Sequence, residues 1–211
     1  MLLVLVSGVL TAAAALALTG RMRAIAATDS RWFRSHVHVV LAGAGGAGAG
    51  ALAQTSAEVP AFAVLALACS LLFVIDLATL RLPDAIVLPM YPILAVLFTV
   101  AAALAPDWGR LGRAAAAGAI LLIVYFALAF AYPAGLGLGD VKLAGLLGMF
   151  LGWLGWQHTL LGTLTAFALS ALIAVVLLIT RRAARGTEFP FGPCMIVGAA
   201  IGATGWPSLL G

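Results

Sequence analysis

Three of the seven acidic residues stand out by their surroundings. Asp76 ends the run Ser70-Leu71-Leu72-Phe73-Val74-Ile75, and Asp140 follows the loop Pro133-Ala134-Gly135-Leu136-Gly137-Leu138-Gly139 and opens a further apolar run. Asp84 stands directly after Pro83. A carboxylate at membrane depth costs about 3 kcal/mol or more, and such residues mark functional sites. Two carboxylates delivered to one place from separate helices can perform acid–base chemistry. Like charges a few ångströms apart do not both ionise readily, so one keeps a proton. The ionised partner takes a proton from water while the protonated one polarises a peptide carbonyl, and neither a metal nor a cofactor is called for. Gly137 and Gly139 permit backbone angles and close approach that a side chain would block, so an extended substrate backbone can lie against their loop. A structural reading stands beside this one on spacing alone: Asp76 as an ion pair with Arg81, and Asp140 as the N-cap of the following helix. Asp29, Glu58 and Asp107 fall among other polar residues and are expected to be solvated.

The elements that position these residues follow from composition. Of 211 residues, 64% are hydrophobic and 9% charged, against about 45–50% and about 25% in soluble domains. Most of this chain must therefore be solvated by a bilayer, and a cytosolic globular protein is excluded. Apolar runs fall at 2–18, 37–53, 60–78, 85–105, 114–132, 141–156, 159–180 and 193–210. A spanning helix needs about 20 residues, so eight runs leave only short loops. The expected fold is all-α: a polytopic integral membrane helical bundle of about eight transmembrane helices, forming a single membrane-embedded domain over 1–211. The first run lacks a preceding positive charge and is followed by Arg21 and Arg23, so it reads as a retained helix and not as a cleaved signal.

Charge sets the orientation. With the loop after the first helix cytoplasmic, that side holds Arg21, Arg23, Arg31, Arg34, Arg81, Lys142, Arg181, Arg182 and Arg185, and the outer side holds only Arg110 and Arg113. The positive-inside rule favours this topology. It places Asp76 and Asp140 at the cytoplasmic face. The net charge of +4 is accounted for by this bias, so no nucleic-acid partner is expected.

Three segments carry a resemblance. Ile75-Asp76 followed by Arg81-Leu82-Pro83-Asp84-Ala85-Ile86-Val87-Leu88-Pro89, then Gly137-Leu138-Gly139-Asp140-Val141-Lys142, then Phe189-Pro190-Phe191-Gly192-Pro193 occur in that order. They resemble the motifs of the type IV prepilin peptidase family, membrane aspartic peptidases of the GxGD type. The resemblance implies that Asp76 and Asp140 are the catalytic pair, within a peptidase-like core over 60–193. It places Gly137, Gly139, Lys142, Pro83, Asp84, Pro190, Gly192 and Pro193 in support of the site. Asp84 reads as supporting its loop, since Pro83 interrupts the helix before it. Lys142 acts on Asp140 or anchors the helix at the headgroups, and the Phe-Pro-Phe-Gly-Pro turn shapes the cytoplasmic mouth or simply ends a helix.

The implied substrate is a pilin-like precursor, with a short basic leader and one hydrophobic helix, cut just after a glycine at the cytoplasmic face of the bacterial inner membrane. Glu188 or acidic headgroups would attract the leader. Long members carry a cytoplasmic segment with paired CxxC motifs and also methylate the new N-terminus. This sequence has two cysteines, Cys69 and Cys194, neither in such a motif, so the resemblance implies the short form and peptidase activity alone. Two alternatives remain: another GxGD intramembrane protease, or a small proton-coupled transporter using the aspartates as a relay. Nothing in the pattern sets an oligomeric state.

Other features read as packing. Gly43-Ala44-Gly45-Gly46-Ala47-Gly48 matches a dinucleotide fingerprint but lacks the surrounding βαβ unit, so it is expected to pack helices. His36, His38 and His158 have no metal-ligand spacing, and Trp153, Trp156 and Trp206 read as interface anchors. Both cysteines are expected to be buried thiols.

Overall fold

In hydrocarbon each backbone N–H and C=O must find its partner within the protein, and helices meet that demand segment by segment. The computed structural model describes residues 1–26, 32, 35–132, 135–180 and 189–205, and they form eight helices. These are α1 (Leu2–Ala26), α2 (Val37–Leu52), α3 (Val59–Thr79), α4 (Asp84–Leu104), α5 (Trp108–Ala131), α6 (Leu138–Leu154), α7 (Trp156–Ile179) and α8 (Gly192–Thr204). Five of them, α1, α3, α4, α5 and α7, are long and apolar enough to cross a membrane, while α2 and α8 are shorter apolar helices. Large apolar side chains such as Leu5, Val96, Ile123, Leu172 and Ile179 are exposed along their flanks, a surface that suits lipid and not water. The chain is a multi-pass membrane protein of all-helical fold. Asp29, Arg31, Arg34, Arg181, Arg182, Arg185, Glu188 and Trp206 lie outside the described residues.

The chain divides into two compact units, Met1–Gly112 and Arg113–Gly211. In the first, α1 and α2 pack together and α3 packs against both. The α1–α2 seam is made of small residues. A Cβ on Gly50 would sit 2.8 Å from the Val4 Cα, and one on Gly46 would collide with the Thr11 side chain. Ser7 Oγ donates to the Gly46 carbonyl at 2.6 Å across the same seam. The glycine run is thus helix packing, as expected. The central helix of this unit is α3: 61% of its apolar window is buried, against 22% for α1.

A polar knot lies where α2 leads into α3. Glu58 was expected to be solvated, but it is 1% exposed and its Oε1 accepts from Arg110 Nη1 at 2.8 Å. It also accepts from the Gln54 backbone N–H at 3.1 Å and the Thr55 hydroxyl at 3.3 Å. The expectation fails because the polar neighbours serve as partners for the carboxylate, in place of water.

In the second unit α7 and α8 pack closely, and α6 contacts both. Glycines again set the spacing: a Cβ on Gly202 would stand 2.6 Å from the Gly162 Cα, and one on Gly148 would meet the Ala117 carbonyl at 2.8 Å, bringing α5 onto α6. Helix α6 gives way to α7 at Gly155, whose φ of +153° strains any L side chain. The break therefore falls before Trp156, earlier than the run boundaries 156 and 159. Trp153 is not an interface anchor: it is 1% exposed and one of the largest buried side chains. Its carbonyl and that of Gly152 accept from Arg113 at 3.0 and 2.7 Å, closing the C-terminal end of α6. Trp156 is 47% exposed, and both cysteines are free and buried.

Candidate active site

The first group of predicted residues belongs to the first unit. Asp76 stands in the last turn of α3 and is 4% exposed, beside the fully buried Val74 and Ile75. Its backbone carbonyl accepts the Leu80 N–H at 2.9 Å, and Leu80 ends the helix in the left-handed region at φ +54°. The C-terminal end of a helix carries partial negative charge, so neither burial nor the helix dipole rewards a carboxylate there.

Four residues separate α3 from α4. Pro83 is extended at φ −68°, ψ 130° and precedes the first residue of α4; its carbonyl accepts the Ile86 and Val87 N–H groups at 3.0 and 3.2 Å. Asp84 is that first residue, and it is exposed. The dipole favours an acid in this position. Pro89 and Pro92 lie inside α4, where each removes an intrahelical donor. The carbonyls of Ala85 and Leu88, one and four residues beyond Asp84, thereby lose the N–H groups four residues on that would pair with them in a regular helix.

The second group belongs to the second unit. Gly137 caps α6, and Asp140 reaches back so that its Oδ2 accepts the Gly137 N–H at 3.0 Å, the acidic half of a capping box. The structural reading of Asp140 as the N-cap is corrected: Gly137 is the N-cap, and Asp140 stands at the third helical position, from which it caps the Gly137 N–H. This cap uses one carboxylate oxygen and leaves Oδ1 outside it. Gly137 itself is extended, φ −82° and ψ 156°, so it is not there for an unusual backbone angle. Clearance is the surviving reason: a Cβ would meet Asp140 Oδ2 at 3.5 Å and the Gly139 backbone nitrogen at 3.9 Å, both ordinary contacts. Gly139 and Lys142 are half-buried in the first turns of α6.

Pro190 leads into Phe191, and Gly192 and Pro193 form the buried first turn of α8. The Phe191 ring lies 5.6 Å from Phe167 of α7 and 6.3 Å from Tyr125 of α5. The turn is thus held by an aromatic cluster. Sequence reasoning missed Tyr125, whose signal was a phenol in the middle of an apolar run. An apolar cleft beside it is lined by Tyr125, Ala144, Leu147, Ala166, Met195 and Ala199. Among the described residues no group of three or more His, Cys, Asp or Glu is placed to hold a metal. His38 instead pairs through Nε2 with Thr19 Oγ1 at 2.8 Å, and His158 Nδ1 lies 2.8 Å from the Gly202 carbonyl.

Comparison with known proteins places these residues in a family. Residues 63–179, more than half of the chain, match the model of the type IV leader peptidase family. That interval includes Asp76, Asp84, Asp140 and Lys142 and ends before the Phe-Pro-Phe-Gly-Pro turn. The chain is 41% identical over 76 residues to a prepilin leader peptidase/N-methyltransferase of Pseudomonas putida. It is 38% identical over 76 residues to that of Pseudomonas aeruginosa and 37% to that of Stutzerimonas stutzeri. Each match covers 36% of this chain and 23% of the relative's length. No solved structure matches the chain. With more than half of its length matched, and the two aspartate-bearing segments inside that interval, the chain belongs to the type IV leader peptidase family.

Proposed function

We propose that this protein is a membrane aspartic endopeptidase that removes the leader from type IV pilin-like precursors at the cytoplasmic face of a bacterial inner membrane. The observation that carries the reading is Asp76: a carboxylate 4% exposed at the end of a membrane-length helix, inside the matched interval. Asp140 stands in the first turn of α6 with one oxygen outside its cap. In the proposed mechanism the two carboxylates form one site. One takes a proton from water as the oxygen attacks the scissile carbonyl, and the other donates a proton to the departing amine. The C–N bond breaks to give a free carboxylate on the leader and a free amine on the mature pilin. Neither step uses a metal or a cofactor.

In this reading 1–211 is one membrane-embedded domain, with 60–193 as the peptidase core. The clear face of Gly137 admits an extended backbone, and the anchored Pro190–Pro193 turn shapes the entrance, with Pro83, Asp84, Gly139 and Lys142 supporting the two carboxylates. The excess of Lys and Arg on one side supports a cytoplasmic site. The proposal covers the peptidase reaction and does not extend to methylation.

The test is co-expression with a pilin-like precursor, following its size, for wild type, Asp76→Asn, Asp140→Asn and Asp84→Asn. Cleavage is expected to vanish in the first two variants and persist in the third. Wild-type cleavage by both Asp76→Asn and Asp140→Asn would overturn the assignment. A wild-type protein that cleaves no such precursor would overturn the function.

A further inference from the structure

The aromatic cluster behind the Pro190–Pro193 turn contains one polar group. Two of its rings are phenylalanines, Phe167 and Phe191, and the third is Tyr125, 5.5 Å from Phe167 and 6.3 Å from Phe191. Tyr125 is 2% exposed. A phenylalanine would fill the same space with no hydroxyl to desolvate, and a buried hydroxyl is unfavourable unless it gains a partner.

The charged group at the start of α6, the helix that shares a cleft with Tyr125, is Asp140. The register of α6 relates the two. Ala144 and Leu147 line the same cleft as Tyr125, and they follow Asp140 by four and seven residues, on one face of the helix. Tyr125 therefore packs along the stripe of α6 that Asp140 begins. One Asp140 oxygen is already held by the Gly137 N–H.

We propose that Tyr125 is a positioning residue of the candidate active site: its ring ties the Pro190–Pro193 turn to the Asp140 face of α6, and its hydroxyl serves Asp140 as a second hydrogen-bond donor. The inference rests on the peptidase reading above and adds a residue to it. Catalytic hydrogen bonds are often long in the free protein and tighten in the substrate complex, and this bond closes at that stage.

The experiment measures precursor cleavage and thermal midpoint for the purified full chain in detergent, comparing wild type, Tyr125→Phe, Tyr125→Leu and Asp140→Asn. Tyr125→Phe keeps the ring cluster and is expected to lower kcat about tenfold or more, the size of one hydrogen bond to a charged group, with KM and midpoint unchanged. Tyr125→Leu also loses the ring and is expected to lower both kcat and midpoint. Wild-type kcat in Tyr125→Phe would overturn the inference, and so would a loss that tracks a fallen midpoint. Cleavage by Asp140→Asn at the wild-type rate would instead overturn the peptidase reading, an outcome distinct from failure of Tyr125→Phe alone.

Discussion

Replacing Glu58 by alanine removes the counter-charge from a guanidinium that has little water to turn to and keeps the neutral Gln54 Oε1, at 3.3 Å, among its acceptors. The Arg110 side chain is 12% exposed and that of Glu58 2%, and Arg110 Nη1 and Nη2 reach the carboxylate at 2.8 and 3.5 Å. An exposed ion pair is worth about 0–1 kcal/mol, whereas removing one partner of a buried pair costs about 3–5 kcal/mol because a charge is left behind. The burial here selects the second regime. The Gln54 N–H and the Thr55 hydroxyl lose their acceptor as well. For a chain of this size about 4 kcal/mol corresponds to a fall of roughly 10 °C in thermal midpoint, read by unfolding of the purified protein in detergent. Arg110→Ala should fall by a similar amount, since it leaves the carboxylate buried instead. The double replacement Glu58→Leu with Arg110→Leu should recover most of the loss, because no unpaired charge remains. Single variants that each shift stability by only about 0.5 kcal/mol, as surface substitutions do, would refute this account of the knot.

Glycine contacts give two further tests. Gly46→Ala drives a methyl into Thr11 and the Ser7 carbonyl, whereas a Cβ on Gly48 meets nothing within 4 Å. The first should destabilise by about 1–3 kcal/mol and the second should stabilise by about 0.4–1 kcal/mol, and equal midpoints for the two would contradict the α1–α2 seam. Gly202→Ala places its methyl 2.6 Å from the Gly162 backbone, where no flexible side chain can yield. A loss of about 1–3 kcal/mol is expected, and a wild-type midpoint would contradict the close α7–α8 approach.

How much was legible beforehand depended on whether a property was local. The eight apolar runs became eight helices among the described residues because helix is the arrangement by which an apolar segment satisfies its own backbone in lipid. Pro83 before Asp84 marked the start of α4 for an equally local reason: it offers no N–H, and its φ is already set. The glycine run of α2 could be kept apart from a nucleotide loop because no sheet surrounded it. The same local reasoning failed at Glu58 and Trp153. Polar neighbours in sequence suggested solvent for Glu58, and proximity to a helix end suggested an interface for Trp153, but the fold buries both.

The sequence by itself determined the membrane class, the eight apolar runs, the charge bias and the three motif segments, since each is a property of composition or of spacing within a few turns. The tertiary structure decided which side chains lose their water. Arg110 and Arg113, the two basic residues set against the charge bias, hold a buried carboxylate and the end of α6 respectively. Tyr125 joins the Asp140 face of α6 to a turn more than sixty residues away in the chain. Burial and pairing depend on helices distant in sequence, and no local pattern encodes which faces of those helices will meet.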